Sequence, residues 1–242
     1  MSDSTVLIDG HAMLGIENHL ALEADELLRR MDAHNIEKAI VRPMGSELVV
    51  ENRLGNNRVL AHGPRLLGLV SVNPWFGSKA LDEIKRCYDA GAIGLFLHPA
   101  RQGFFPIDPL VNPLLELAFS FQWPVMFHTG TYVYSDLLAV GEVARRYPEH
   151  SIIAGFGGFA DMWFEVPILF AELNNLHLDS SLLFSQNIMG VISEIGISRV
   201  IFGSGEPRNN YAVHFNALGR YDIAEDMKSA LMGANAKRIY KI

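Results

Sequence analysis

The chain has 242 residues, 49% of them hydrophobic and 19% charged, which supplies a sizeable core and excludes an extended disordered tract. The formal net charge is −7 and the 20 Lys and Arg residues are scattered, arguing against nucleic acid or an anionic membrane as the main partner. One cysteine, Cys87, excludes an internal disulfide, and no apolar run approaches the ~20 residues of a membrane span. The polar start Met1-Ser-Asp-Ser-Thr has no apolar signal core, so a soluble, cytoplasmic protein acting on a small molecule is expected.

Strand-like apolar runs recur along the whole length, with helical periodicity between them. The first is Val6-Leu-Ile-Asp9, followed by an amphipathic stretch over 20–34. Runs at 39–42, 67–73 and 93–97 come next, separated by a weak helical region at 47–61 and a clearer one at 78–90. The fourth run ends in His98-Pro99. A Gly-, Phe- and Pro-rich loop leads to Asp108-Pro109, where an aspartate cap and a first-turn proline predict a helix start. The fifth run, Val125-Met-Phe-His128, ends in an imidazole, and a helix is expected over 135–147. Runs at 151–154, 176–179 and 199–202 complete a set of eight, and helices at 223–232 and 234–240 close the chain. Eight strands alternating with helices over this length predict an α/β fold, a (β/α)8 barrel in one domain spanning 1–242. A doubly wound sheet is the alternative, but no Gly-x-Gly-x-x-Gly follows the first strand.

In a barrel the strand ends share one mouth, where polar side chains converge. That ring contains His11, Arg42, Asn73, His98, His128 with Thr129, Asp179 with Ser180, and Ser204 with Glu206. Imidazoles, carboxylates and a guanidinium together suit a divalent metal or acid–base chemistry. Arg42, Arg101 and Arg208 are candidates to clamp a substrate carboxylate or phosphate. Trp75, Phe104, Phe105, Tyr132, Tyr134 and Trp163 are candidates for an aromatic pocket wall. His19, His34, His62, His150, His177 and His214 fall off the strand ends and are expected to be structural.

Seven blocks carry a family resemblance over essentially the whole chain. Val6-Leu-Ile-Asp-Gly-His11 resembles the opening strand of the amidohydrolase superfamily, in its amidohydrolase-related branch of barrel hydrolases and decarboxylases. Gly91-Ala-Ile-Gly-Leu-Phe-Leu-His-Pro99, Pro106-Ile-Asp-Pro109 and Pro124-Val-Met-Phe-His-Thr-Gly130 continue in order. Ile152-Ile-Ala-Gly-Phe-Gly-Gly158 follows, with Ile201-Phe-Gly-Ser204 and Gly233-Ala-Asn-Ala-Lys-Arg238 at the end.

The resemblance implies a metal site that this chain departs from. Its first strand would end in His-x-His, and the matching residues are His11 and Met13; a thioether is a poor Zn²⁺ ligand. The fifth-strand ligand is kept as His128. The sixth-strand histidine falls on Gly155 and the eighth-strand aspartate on Gly205. The strand-four lysine that some relatives carbamylate has no counterpart at Phe96 or its neighbours. Two imidazoles alone make a poor zinc site, so Glu206 is the candidate third ligand of a His11–His128–Glu206 site for Zn or Mn, and a metal-free protein is the equal alternative. The implied activity is hydrolysis or decarboxylation of a small carboxylated or cyclic substrate. His128 and His11 would be catalytic groups or ligands, Glu206 and Asp179 their carboxylate partners, and Arg42, His98, Asn73 and Tyr132 substrate contacts. A homodimer is implied at family level. The second reading is a degenerate barrel that binds a ligand or partner without turnover.

Overall fold

The computed structural model describes residues 6–131, 133–158, 164–183 and 188–242. Their strands form one curled sheet: β1 (Ile8–Glu17), β2 (Leu20–Leu22), β3 (Lys38–Pro43), β4 (Leu66–Val70), β5 (Gly94–Leu97), β6 (Val125–His128), β7 (Ile152–Gly155), β8 (Leu176–Asp179) and β9 (Val200–Ile201). All neighbours pair in parallel except β2, which folds back antiparallel on β1. The ring closes through the segment after β9. Gly10 N donates to Phe202 O (2.7 Å), Gly205 N to His11 O (2.9 Å) and Met13 N to Glu206 O (2.9 Å). The chain is therefore a (β/α)8 barrel with an added hairpin on its first strand.

The helices follow from amphipathic spacing. On α1 (Ala24–Ala33), Leu27 and Met31 are buried one turn apart. On α4 (Ser78–Asp89), Ala80, Ile84 and Cys87 form the inward stripe. Between them lie α2 (Ser46–Val49) and α3 (Asn52–Leu60), and α5 (Pro99–Gln102) is a single turn begun by proline. The helix expected at Asp108 starts later, as α6 (Asn112–Ser120), with Pro113 in its first turn. Asp108 instead accepts from Phe105 N (2.8 Å) in the preceding turn. Asp136 caps α7 (Leu137–Arg146) by accepting from Leu138 N (2.7 Å). The remaining α-helices among the described residues are α8 (Glu165–Glu172), α9 (Ile188–Ile195), α10 (Tyr211–Leu218), α11 (Glu225–Ser229) and α12 (Asn235–Tyr240).

Two apolar cores result. One fills the shell between sheet and helices, and the other fills the barrel itself with Ile8, Ile40, Leu69, Phe96, Met126, Ile153 and Ile201. Ala236, Ile239 and Tyr240 of α12 pack against this inner set and stopper the end of the barrel away from the mouth. Side chains alternate along a strand, so the next inward layer lies two residues on. That layer holds Arg42, Ser71, His98, His128, Gly155, Asp179 and Gly203, and it forms the floor of the mouth. On β1 the pairing to β3 shifts between Asp9 and Ala12, where Gly10 and His11 together oppose the single residue Ile40. The bulge brings His11 into the same layer.

Candidate active site

The floor of the mouth is a chain of buried polar groups. Asp179, at the end of β8, accepts from His11 Nδ1 (2.6 Å), Ser181 Oγ (2.6 Å) and Phe156 N (2.9 Å) on one carboxylate oxygen, and from Ser181 N (3.1 Å) on the other. Burial alone would raise the Asp179 carboxyl, but the His11 contact and these donors hold it below its usual range. Across the imidazole, Arg42 Nε donates to His11 Nε2 at 2.9 Å. A guanidinium only donates, so His11 carries its proton on Nδ1, facing Asp179. Arg42 spends its other nitrogens on Pro43 O and Met13 Sδ, both at 2.9 Å, and its Cζ lies 4.2 Å from the Phe96 ring centroid. Burial, with Arg208 and Arg101 nearby, lowers Arg42 to about 9, which leaves it cationic at neutral pH.

In the same layer, on the side of the cleft, His98 and His128 stack with centroids 3.8 Å apart and planes 17° from parallel. His128 Nε2 is paired with Thr131 Oγ1 (2.8 Å), whereas its Nδ1 is buried with no partner among the described residues. Both imidazoles titrate well below the ordinary histidine value. Burial is the main cause; next come His128 for His98, and Arg42 and His11 for His128. Both rings are neutral at pH 7. They line a cleft of about 520 Å³ together with Arg101, Thr131, Phe156 and Arg208, a size suited to a small molecule. Arg101 and Arg208 both donate to one oxygen of Glu17, at the end of β1. Two guanidiniums share one carboxylate, leaving a net positive rim.

Several expected contacts are not made. Glu206 turns away from the mouth and pairs with Arg30 Nη1 of α1 at 2.5 Å; burial, only partly offset by Arg30, raises its carboxyl. Glu206 therefore partners neither His11 nor His128. Asn73 caps the turn after β4, accepting from Trp75 N (3.1 Å) and donating through Nδ2 to Val49 O (2.9 Å), and it is not among the residues lining the cleft. Arg42, expected as a substrate clamp, is 2% exposed and fully engaged below the cleft. Of the proposed aromatic wall, Phe104 is core, while Trp75, Phe105 and Tyr134 lie outside the cleft lining. Tyr132 and Trp163 lie outside the described residues. Glu17 was missed because it ends a hairpin with no strand signal of its own. Asp9 was missed as well: it accepts from Ser204 N and Oγ, Tyr211 OH and His11 N, pinning β1 to the segment after β9.

Residues 21–242 match the amidohydrolase family. The chain belongs to that family. Solved structures of similar shape include 5-carboxyvanillate decarboxylase from Sphingomonas paucimobilis, 15% identical, with 99% of this chain and 100% of that one covered at a TM-score of 0.79. A probable 2-pyrone-4,6-dicarboxylic acid hydrolase from Acinetobacter baumannii, with citric acid bound, is 16% identical over 98% and 99% at 0.75. The 5-carboxyvanillate decarboxylase of Novosphingobium aromaticivorans, complexed with manganese and 4-hydroxy-3-methoxy-5-nitrobenzoic acid, is 14% identical over 100% and 97% at 0.80. No curated protein matches the sequence.

In this amidohydrolase-family barrel the residues present do not fit a divalent metal. The His11 Nε2 lone pair is occupied by Arg42, and Met13 Sδ accepts from the same guanidinium. A side chain at Gly155 would place its Cβ 2.9 Å from Phe127 O, and Gly205 holds φ at +67° with Ser181 O 3.1 Å from a Cβ. Among the described residues, no three His, Cys, Asp or Glu side chains are grouped to hold a metal ion. The His11–His128–Glu206 site is not assembled. Nor is any described helix long and apolar enough to cross a membrane.

Proposed function

We propose that the protein is a hydrolase acting on a small carboxylated substrate at this cleft, with His98 and His128 as its neutral imidazole pair and Arg101 and Arg208 as carboxylate anchors. The observation that carries the reading is the pairing of a net positive rim with two stacked, buried imidazoles on one cleft wall. A neutral imidazole is ready to accept a proton from water attacking an ester or ring carbonyl. Protonating carbon during loss of CO₂ would need an imidazolium already present in the resting protein, whereas a general base starts neutral and is charged only transiently, so we favour hydrolysis over decarboxylation. The similar structures support the substrate class, since they are named for 5-carboxyvanillate and a pyrone dicarboxylate.

The test is a panel of carboxylated aromatic esters and lactones against wild type, His128→Gln and the Arg101→Gln/Arg208→Gln pair. Loss of general-base catalysis at His128 lowers kcat by about 10²–10⁴. Loss of the guanidiniums raises KM by about tenfold or more, since a hydrogen bond to a charged group contributes ~1.5–3 kcal/mol. An unchanged KM in the double variant sinks the anchoring role. The absence of a fitting metal donor set favours a second reading, ligand binding without turnover. Calorimetric binding of the same carboxylates, with no product from any of them, selects it.

A further inference from the structure

The family-matching positions of a metal site are not merely vacated in this barrel; they have been rebuilt around another cation. His11 and Met13 occupy the positions of the first-strand His-x-His, and both accept hydrogen bonds from Arg42, at Nε2 and Sδ respectively. Phe96, in the region of the strand-four lysine, turns its face to the same guanidinium at 4.2 Å, and Phe156 flanks it at 5.5 Å. Soft sulfur and aromatic faces are weak partners for a hard divalent ion but good ones for a planar, weakly hydrated guanidinium. The negative charge that a metal would balance is supplied by Asp179, reaching Arg42 through His11 at 2.6 Å and 2.9 Å.

We propose that Arg42 is a resident cation that fills the metal position of this barrel, held by His11, Met13 and Phe96, and that it excludes divalent metals from the mouth. The assignment concerns the floor, not the cleft, and is independent of which reaction the cleft performs. Arg42 lies beneath the cleft lining; it is a positioning residue, fixing the His11 tautomer and setting a positive field under His128. It also accounts for the loss of several metal positions together. Once a tethered guanidinium occupies the space, a histidine at Met13 would meet Arg42 instead of an ion.

The decisive measurement needs only the wild-type protein. Histidine labelled with ¹⁵N reports the His11 ring directly, and one equivalent of Mn²⁺ broadens any imidazole that ligates it. The expected result is a protonated Nδ1, an unprotonated Nε2 and no selective loss of the His11 signal. Selective broadening of His11 at one equivalent overturns the proposal. An Arg42→Gly variant supplies a second readout, because methylguanidinium can re-enter the space that is left. Its melting temperature is expected to rise with methylguanidinium and not with an equal concentration of methylammonium. An equal rise with both, or none, counts against a guanidinium-shaped seat. If the variant does not fold, the wild-type titration decides alone.

Discussion

The link from Asp179 through His11 to Arg42 is a buried ion pair split by an imidazole, with each member below 3% exposure. Such an arrangement is costly to break, because removing one charge strands the other in a dry interior. Asp179→Asn keeps the shape and deletes the charge, and a loss of about 3–5 kcal/mol is expected from urea unfolding midpoints. A loss under about 1 kcal/mol would show that Arg42 finds its compensation elsewhere. The individual site residues were partly legible. His11, Arg42, His98, His128 and Asp179 are picked out as polar groups ending apolar runs, and the barrel does bring them into one layer. Their duties were not legible. Whether Arg42 points at a substrate or at Met13, and whether Glu206 faces His128 or Arg30, depends on backbone paths after the strands that no local pattern encodes.

At the scale of elements, the strand ends are packed so closely that glycine is required where a side chain might be expected. A Cβ on Gly203 would lie 2.1 Å from Asp179 Oδ1 and 3.0 Å from His11 Cβ. Gly203→Ala therefore pushes the Asp179 carboxylate off the His11 ring. The expected signs are a moved His11 ¹⁵N resonance and a destabilisation of about 1–3 kcal/mol from overpacking. An unchanged His11 resonance would mean that the β9 backbone yields instead. The eight barrel strands were readable because both faces are buried and each is a short apolar run. The hairpin was not. His-Ala-Met-Leu-Gly-Ile-Glu at 11–17 shows no alternation, and its pairing to Leu20–Leu22 depends on the antiparallel return rather than on a polar face. The start of α6 was misplaced for a related reason: Asp-Pro marks a turn as well as it marks a helix cap.

Across the whole molecule, buried neutral histidines set the response to acid. His98 and His128 titrate well below 6.5, His177 at about 3 and His214 below its ordinary value, with burial as the first cause in each. In every case the unfolded chain binds a proton that the folded chain refuses. Stability is therefore full above about pH 6.5 and is lost as pH falls below it, at up to about 1.4 kcal/mol per pH unit for each such ring. Melting temperature should fall between pH 7 and pH 5, and His177→Phe should flatten that slope; a flat wild-type profile would contradict the burial of these rings as neutral species. Ring closure carries a different consequence, one of timing. β1 is bonded on one side to β3, about thirty residues on, but on the other to Phe202, Gly205 and Glu206, nearly two hundred residues later. During synthesis the first strand to emerge waits for the last, with a row of backbone donors and acceptors unpaired at the seam. The antiparallel return of β2 lies on that same edge but covers only Gly15–Glu17, leaving the row at residues 10–13 open, so the growing chain has its greatest exposure to mispairing just before its final strand arrives.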